Sequence, residues 1–205
     1  NIRGAEEAVT FPSISYLGFP LSVSETFQLR NTNKTIAASI EEVKAIQSLC
    51  VAHGKELVVY LSMGFGNPYG DPYDTEYILQ IVQQLVDMGI RTISLADTVG
   101  VAAPSTIAYL FDALIPAFKE VRFGAHFHST WEAAEEKIAT ALAHGCHYFD
   151  SAMKGIGGCP MANDDLVGNI ASEQLLAYLQ KNNSTLQINE TAFQEALNTA
   201  QQLFV

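Results

Sequence analysis

A repeated order of strand, polar loop and helix is the feature that most limits how this chain can fold. Short runs rich in β-branched residues, as at 57–61, alternate with longer stretches whose apolar residues recur at helical spacing. The run at 57–61 is almost continuously apolar, which is typical of a strand buried on both faces of a parallel sheet. We therefore expect βαβ units and an α/β fold. The expected strands are 13–17, 57–61, 92–96, 122–127 and 146–150; helices begin near 36, 74, 104 and 129, a polar loop spans 22–33, and two more helices follow at 172–180 and 190–204.

Polar and glycine-rich segments follow the strands and place the candidate chemistry at one edge of the sheet. A (β/α)8 TIM barrel gathers its active groups at the carboxyl ends of its strands, and a doubly wound sheet does the same. Counting favours the barrel, because such barrels have eight units in about 250 residues, whereas this chain has five units in 205 residues. We interpret residues 1–205 as the C-terminal part of one (β/α)8 barrel domain, with five of its eight units and C-terminal helices, and we expect three N-terminal units to be absent.

The charge balance and the cysteines exclude several classes of protein. Eleven Lys and Arg stand against 22 Asp and Glu, a formal net charge of −11, and no basic run interrupts this composition, so nucleic acid is not an expected partner. No apolar run is long enough to cross a membrane, so no membrane association is expected. Three widely spaced cysteines form neither a disulfide framework nor a zinc-finger pattern, which favours a reducing, cytoplasmic setting.

Two histidines, His126 and His128, stand at the end of the strand predicted at 122–127. Side chains two residues apart on a strand point to the same face, so both imidazoles can meet at the mouth of a barrel. They form either half of a divalent-metal site or two polar residues of a pocket without metal. Asn169 favours the metal, because a carboxamide oxygen suits a hard ion such as Mg²⁺ or Mn²⁺. A charged oxygen ligand is missing from this set.

The segment 155–169 is the part of the chain richest in chemical groups. It contains glycines, a thiol, a proline, two carboxylates and the carboxamide of Asn169, and its glycines let the backbone approach a ligand closely. Cys159 stands between a glycine and a proline in this loop, whereas Cys50 and Cys146 stand on a predicted helix and strand. Cys159 is therefore the cysteine best placed for acid–base chemistry.

Asp97 follows the strand predicted at 92–96. It is either a carboxylate or base of the active site, or an aspartate at a helix start that accepts hydrogen bonds from loop amides. The residues alone leave both interpretations open.

Several segments spread along the chain form one pattern: Asn1-x-Arg-Gly-Ala-Glu, Ser22-x-Ser-Glu-x-Phe with Asn31 and Asn33, Phe65-Gly-x-Pro68, Ser94-Leu-Ala-Asp-Thr-x-Gly100, His126-x-His128, Phe149-Asp-Ser, and Gly155-x-Gly-Gly-Cys-Pro-x-Ala162 through Gly168-Asn169. This pattern resembles the 3-hydroxy-3-methylglutaryl-CoA lyase family, which is one of the metal-dependent lyase and synthase barrels. The similarity covers almost the whole chain in the family's order. Its most specific part is the Gly-Gly-Cys-Pro loop followed by Gly-Asn, because related synthases generally lack that cysteine loop.

The resemblance implies a (β/α)8 barrel that cleaves 3-hydroxy-3-methylglutaryl-CoA to acetyl-CoA and acetoacetate, a reaction of leucine degradation and ketone-body formation. It also implies an acyl-CoA substrate, Mg²⁺ or Mn²⁺ as cofactor, a mobile cysteine loop that closes over substrate, and a homodimer. By position, the implied metal ligands are His126, His128 and Asn169. The implied catalytic groups are Cys159, His126 and Asp97, and the implied substrate-binding residues are Thr98, Ser24, Glu25 and Gly158.

Two departures from the family pattern limit these expectations. The family's Arg-Asp-Gly segment, which supplies the charged metal ligand and a catalytic arginine, has no counterpart in residues 1–205, and Ser129 replaces an aspartate after the second histidine. We therefore expect the 205-residue chain by itself to bind metal poorly and to be inactive.

Two other functions stay open. One is a condensing synthase of the same superfamily, with isopropylmalate-like or homocitrate-like products, against which the cysteine loop argues. The other is a non-catalytic subunit or fragment, against which the joint presence of the two histidines, the cysteine and the carboxamide argues.

Overall fold

Five parallel strands, β1 to β5, form one sheet in their chain order. The computed structural model describes residues 1–158, 167–182 and 186–204. Within those ranges, no helix is both long and apolar enough to cross a membrane.

The strands are Tyr16–Ser22 (β1), Glu56–Ser62 (β2), Thr92–Asp97 (β3), Arg122–Phe127 (β4) and Tyr148–Phe149 (β5). The helices are Ile2–Ala8 (α1), Glu25–Thr32 (α2), Ile36–Ala52 (α3), Thr75–Asp87 (α4), Pro104–Ala117 (α5), Trp131–Ala143 (α6), Ser172–Lys181 (α7) and Glu190–Leu203 (α8), and a 3-10 turn lies at Met153–Gly155.

One face of the sheet is covered and holds the hydrophobic core. Residues of β1 and β2 are buried in alternation along most of each strand, and the parallel register places Leu17 beside Leu57 and Leu61 beside Leu95. Leu61 and Leu95 are fully buried, in one core with the buried residues of α3 to α6. This arrangement confirms the α/β fold and the five parallel strands expected from the sequence.

The opposite face of the same strands, here called the open face, is only partly covered among the described residues: Ser94 and Ala96 in its centre are buried. Val58 and Tyr60 are half-buried, and Tyr16 and Tyr148, at its two margins, are 55% and 53% exposed. The expectation that 57–61 is buried on both faces therefore holds for one face only, because no layer among the described residues covers the other.

Strand β1 begins and ends later than predicted. It spans Tyr16–Ser22 rather than 13–17, and Gly18 and Pro20 lie inside it instead of ending it. Proline cannot donate to a neighbouring strand, so it is found at the margins of sheets. Pro20 is tolerated here because β1 is an outer strand of this sheet.

The segment 22–33 was predicted as a loop and contains α2. Ser24 caps the first turn of this helix. The buried side chain of Gln28 then accepts a hydrogen bond from Ser22 N at 2.7 Å and donates one to Ser39 Oγ at 2.9 Å. The prediction was wrong because polar contacts within the fold, rather than a stripe of apolar residues, hold α2 in place.

Two further boundaries differ from prediction. β5 comprises Tyr148–Phe149 rather than 146–150, because its pairing with β4 extends over two positions only. The side chain that caps α6 belongs to Thr130 rather than to Ser129. The backbone N–H of Ser129 instead donates to Gly168 O at 2.9 Å, which joins the end of β4 to the residue before Asn169.

Candidate active site

Five of the predicted site residues line one cavity at the carboxyl ends of the strands. The cavity has a volume of about 380 Å³, and His126, His128 and Asn169 contribute to its lining together with Thr98 and Gly158. The ends of the strands and α2 supply the remaining lining residues, which are Pro20, Phe27, Asn31, Tyr60, Ser62 and Ala96. Strands far apart in the sequence thus bring the predicted ligands and two predicted substrate-binding residues to one place.

The end of β4 carries both imidazoles. His126 lies within β4 and His128 directly after it, and the centroids of the two rings are 5.4 Å apart. His128 also forms an isolated antiparallel bridge with Asn169 through the main chain. The predicted metal ligands therefore come from two segments that are joined by backbone pairing.

A carboxylate orients His126. Asp150 Oδ2 lies 3.3 Å from His126 Nδ1, and the same oxygen accepts a hydrogen bond from Ser94 Oγ at 3.2 Å. A carboxylate that accepts the Nδ1 proton leaves Nε2 for a ligand, the usual arrangement of a histidine that binds metal. Tyr60 meets the His126 ring edge-on, with centroids 5.6 Å apart. Burial and the charge of Asp150 raise the pKa of Tyr60, so this phenol stays a neutral donor.

His128 is buried and held in its neutral form. Burial lowers the pKa of His128 below its ordinary value of 6.5, and the neighbouring His126 lowers it further. Its Nδ1 atom is buried without a hydrogen-bond partner among the described residues. A buried polar atom without a partner is costly, and a cation bound at this nitrogen would supply one.

The carboxamide of Asn169 is oriented by the chain around it. Its Nδ2 donates to Ile156 O at 2.8 Å, and its backbone N–H donates to Gly157 O at 3.1 Å. Glycine is required here for close approach: a Cβ on Gly155 would lie 2.6 Å from Asn169 O, and one on Gly168 would lie 2.5 Å from Gly155 O. With its amide nitrogen bound to the backbone, Asn169 is left with its side-chain oxygen as an acceptor.

These donors fit a divalent cation. Two imidazoles and a carboxamide oxygen around one cavity are neutral ligands that such ions accept, and the unpartnered nitrogen of His128 is consistent with a ligand role. Within 1–158, 167–182 and 186–204, no group of three or more His, Cys, Asp or Glu is placed to hold a metal ion. The absence of a charged oxygen ligand from this chain stays a prediction.

Asp97 has the contacts of an aspartate at a loop and helix start. It is 1% exposed and is absent from the residues that line the cavity. Its Oδ2 accepts from Lys137 Nζ at 2.6 Å, and its Oδ1 accepts from Ala102 N at 3.1 Å. Of the two interpretations left open by the sequence, this geometry favours the second, and a direct catalytic role for Asp97 stays a prediction.

Ser24 and Glu25 also use their side chains within the fold. Ser24 is fully buried; its Oγ accepts from Phe27 N at 3.1 Å and donates to Asp71 Oδ2 at 2.5 Å. Glu25 Oε2 accepts from Ile36 N at 3.0 Å, at the first turn of α3. Neither residue lines the cavity, and their contact with substrate stays a prediction.

Cys159 lies outside the described residues, so its predicted role as a catalytic thiol stays a prediction. Residue 158, its immediate neighbour, lines the cavity.

Sequence reasoning missed three residues next to the site: Tyr60, Asp150 and Lys137. Asp150 follows a strand, as the predicted site residues do, and that position was the available signal. Tyr60 lies on the open face of β2 and carried no local signal. Lys137 lies among the buried positions of α6, Ala134, Ile138 and Ala141, and a lysine on that apolar stripe was the signal that could have identified it.

The chain is similar to several proteins that are named as HMG-CoA lyases. A hydroxymethylglutaryl-CoA lyase of Bacillus subtilis is 32% identical over 181 residues, which are 88% of this chain and 60% of that protein. The crystal structure of the Bacillus subtilis HMG-CoA lyase superimposes with a TM-score of 0.90 at 29% identity and covers 98% of this chain and 67% of that one. An HMG-CoA lyase from Acinetobacter baumannii, solved in complex with coenzyme A and 3-methylmalate, gives 0.88 at 26% identity over 99% of this chain and 66% of that one. Relatives include lyases named as cytoplasmic and as mitochondrial.

A family model places these similarities in one group. The chain spans 60% and 59% of the length of two of these relatives, and 38% and 52% of two others. The model described as HMGL-like matches residues 5–200, almost the entire chain. With the strand order, the cavity at the strand ends and the similar folds in agreement, this chain belongs to the HMGL-like family.

Proposed function

We propose that this chain contributes the metal and acyl-CoA site of a lyase that cleaves 3-hydroxy-3-methylglutaryl-CoA to acetyl-CoA and acetoacetate, with Mg²⁺ or Mn²⁺ as its cofactor. The observation that carries the proposal is the meeting of His126, His128 and Asn169 in one cavity. The names of the relatives and the coenzyme A bound by one similar structure support the choice of substrate.

We also propose that residues 1–205 are the C-terminal part of a single (β/α)8 domain. The five strands are parallel and adjacent in chain order, as in a segment of a barrel, with β1 and β5 as the outer strands of the sheet. The sheet face that bears the site has no covering layer among the described residues, and the matched relatives are longer. A (β/α)8 barrel closes on itself and thereby removes such outer strands.

The residues of the cavity account for binding and orientation. His126, His128 and Asn169 would hold the cation, with His126 oriented by Asp150 and Asn169 oriented by Ile156 O. When bound, such an ion polarises the hydroxyl and carboxylate oxygens of a substrate and makes the hydroxyl more acidic.

Two proton transfers complete the cleavage. The tertiary hydroxyl loses its proton to a base, the carbon–carbon bond breaks with its electron pair on the acetyl-CoA side, and the resulting enolate takes up a proton. His126 cannot bind a cation and accept a proton through the same Nε2, so its two predicted roles are alternatives. Cys159 is the proposed donor to the enolate.

Neutral donors in the cavity would hold the acyl group. Tyr60 keeps its proton because burial raises the pKa of Tyr60, and the lining residue Asn31 carries a carboxamide that can donate. Pro20 and Phe27 supply apolar surface to the same cavity. These groups fit an acyl chain with polar oxygens better than a charged polymer.

The activity is tested with the purified complete protein, of which this chain is the proposed C-terminal part. The protein is incubated with 3-hydroxy-3-methylglutaryl-CoA and Mn²⁺ or Mg²⁺, and acetoacetate and acetyl-CoA are measured. We expect His128→Gln to weaken Mn²⁺ binding and turnover together, and Cys159→Ser to lower turnover strongly while it leaves Mn²⁺ binding intact. Condensation of acetyl-CoA with 2-oxo acids, without cleavage, would instead identify a synthase.

The 205-residue chain alone provides a second test. We expect it to bind Mn²⁺ weakly and to show no turnover, because its ligand set lacks a charged oxygen. Turnover by this chain alone would refute the proposed division of the barrel. The predicted homodimer is measured by sedimentation of the same samples.

A further inference from the structure

Lys137 is a buried lysine on a helix that otherwise turns apolar residues inward. It is 5% exposed, and the other buried residues of α6 are Ala134, Ile138 and Ala141. Lysine is almost never fully buried unless its charge is paired. A lysine in this position therefore needs a partner for its charge. Its presence in place of an apolar residue also needs a physical explanation.

The three hydrogens of its ammonium group match three acceptors. Lys137 Nζ lies 2.6 Å from Asp97 Oδ2, 2.9 Å from His128 O and 3.2 Å from Gly100 O. An ammonium group has three donors and no acceptor, so these contacts use its full capacity. The partners are the end of β3, the loop after it and the residue that follows β4.

Further hydrogen bonds connect the backbone that Lys137 contacts with residues of the cavity. His128 N donates to Asp97 O at 3.3 Å, and Met63 N donates to Thr98 Oγ1 at 2.9 Å. Thr98 and His128 both line the cavity, whereas Lys137 and Asp97 do not. Lys137 thus contacts the backbone next to the two cavity residues Thr98 and His128, but it does not line the cavity itself.

Stability alone is a poor explanation for such a pair. Burying two charges costs a large desolvation free energy, and apolar residues of similar size often replace a buried ion pair without loss of stability. An ammonium group bonded to three separate segments does something that an apolar side chain cannot do, which is to set their relative positions.

We propose that Lys137 is a positioning residue, which holds His128 and the 97–101 loop in the arrangement that the cation site requires. This inference rests on the proposed function, since it concerns the same cavity. Lys137 acts through the carbonyl of His128 and the carboxylate of Asp97, and it touches neither the cation nor the substrate.

The test compares three variants of the complete protein. Lys137→Met combined with Asp97→Asn removes the ammonium group and leaves no unpaired buried charge, Asp97→Asn alone keeps the ammonium group, and Lys44→Met replaces an exposed helical lysine as a control. Thermal midpoint, Mn²⁺ affinity by calorimetry, and the side-chain ¹H–¹⁵N signals of His128 without metal are measured for each.

We expect the double variant to melt within a few degrees of the parent protein and to bind Mn²⁺ about tenfold more weakly or worse, as when an outer support of a metal ligand is lost. The His128 signals should shift or broaden most in this variant. Lys44→Met should keep Mn²⁺ affinity within about threefold of the parent. Asp97→Asn alone should weaken Mn²⁺ binding less than the double variant does, because Lys137 still bonds to His128 O and Gly100 O. Turnover decides nothing here, because Asp97 is itself a predicted catalytic group.

The inference is overturned if the folded double variant binds Mn²⁺ like the parent and keeps its His128 signals. Lys137→Arg, which keeps the charge but not the compact three-way geometry, is measured alongside and should also weaken Mn²⁺ binding. Failure of both Lys137 variants to fold would overturn the inference as well, because Lys137 would then support the fold as a whole. A parent protein that binds no Mn²⁺ would refute the proposed function, while the His128 signals would still report on Lys137.

Discussion

The two faces of the β-sheet differ in what their side chains contact, although adjacent residues of the same strands build both. Leu61 and Leu95 on the covered face are apolar and fully buried. Their neighbours Tyr60 and Ser94 lie on the open face with His126, where Ser94 and His126 share Asp150 as a hydrogen-bond partner. One residue step along a strand thus separates the core from the site.

Because the two faces differ in this way, we expect stability and ligand binding to respond to different substitutions. Burial of apolar area stabilises the covered face, and a cavity left there is not refilled. The open face is held by hydrogen bonds between polar groups near the cavity, and each contributes only about 1 kcal/mol to stability. Substitutions on adjacent residues can therefore test the separation directly.

The largest effect is expected from the covered face. Leu95→Ala removes a fully buried side chain and should lower the free energy of unfolding by about 3 kcal/mol, because the space it leaves is not filled. Ser94→Ala, one residue away, loses one hydrogen bond to Asp150 and should cost about 1 kcal/mol. Urea unfolding of both variants measures the contrast, and equal losses would show that the two faces do not differ as described.

A smaller effect on stability, with a clear effect on binding, is expected from the open face. Asp150→Asn weakens the orientation of His126, so Mn²⁺ affinity should fall about tenfold while unfolding changes by about 1 kcal/mol or less. Asp112→Asn is the matched control. Asp112 Oδ1 lies 2.8 Å from His144 Nδ1, and neither residue lines the cavity. Calorimetry with Mn²⁺ compares the two variants, and the same affinity in both would remove Asp150 from the site.

The smallest effect concerns the loop that holds the start of α2. Asp71 accepts hydrogen bonds from Ser24 Oγ and from Thr26 N and Oγ1, and these contacts, that of Ser24 foremost, hold the pKa of Asp71 below its ordinary value of 3.8. A lowered pKa in the folded state means stability that is present above pH 3.8 and is lost as the pH falls through the folded-state value.

Asp71→Asn should therefore destabilise the protein by about 1 kcal/mol at neutral pH, and this difference should shrink as the solution is acidified below pH 3.8. Thermal midpoints of the parent and the variant at several pH values measure it. A difference that stays constant down to the acid limit would show that the charge of Asp71 does not hold α2 to the neighbouring loop.

The sequence predicted the long helices and the central strands because their signals are local. Apolar spacing marked α3, a closing glycine marked the end of α4, Pro104 marked the start of α5, a capping pattern marked the start of α6, and an apolar β-branched run marked β2. The sequence did not predict α2, since Gln28 replaces an apolar stripe with hydrogen bonds to Ser22 and Ser39. For the site, the spacing of His126 and His128 predicted a common face, and both residues line one cavity together with Asn169.

The remaining site predictions depended on partners that no local pattern shows. Asp97 and Ser24 follow or precede elements in the way that site residues do, but their side chains are bound by Lys137 and Asp71. These contacts hold both side chains within the fold, and their roles toward a substrate stay predictions.

By itself, the sequence determined the order of strands and helices, the α/β class and the edge of the sheet at which the chemistry collects, because each follows from side-chain spacing over a few residues. Only the tertiary structure decided which polar groups are free and which are bound. Lys137 and Asp97 are 40 residues apart, and Ser24 and Asp71 are 47 apart. Such pairs exist only once the chain has closed these distances, so their formation depends on the packing of the whole sheet and its helices rather than on any segment of the sequence.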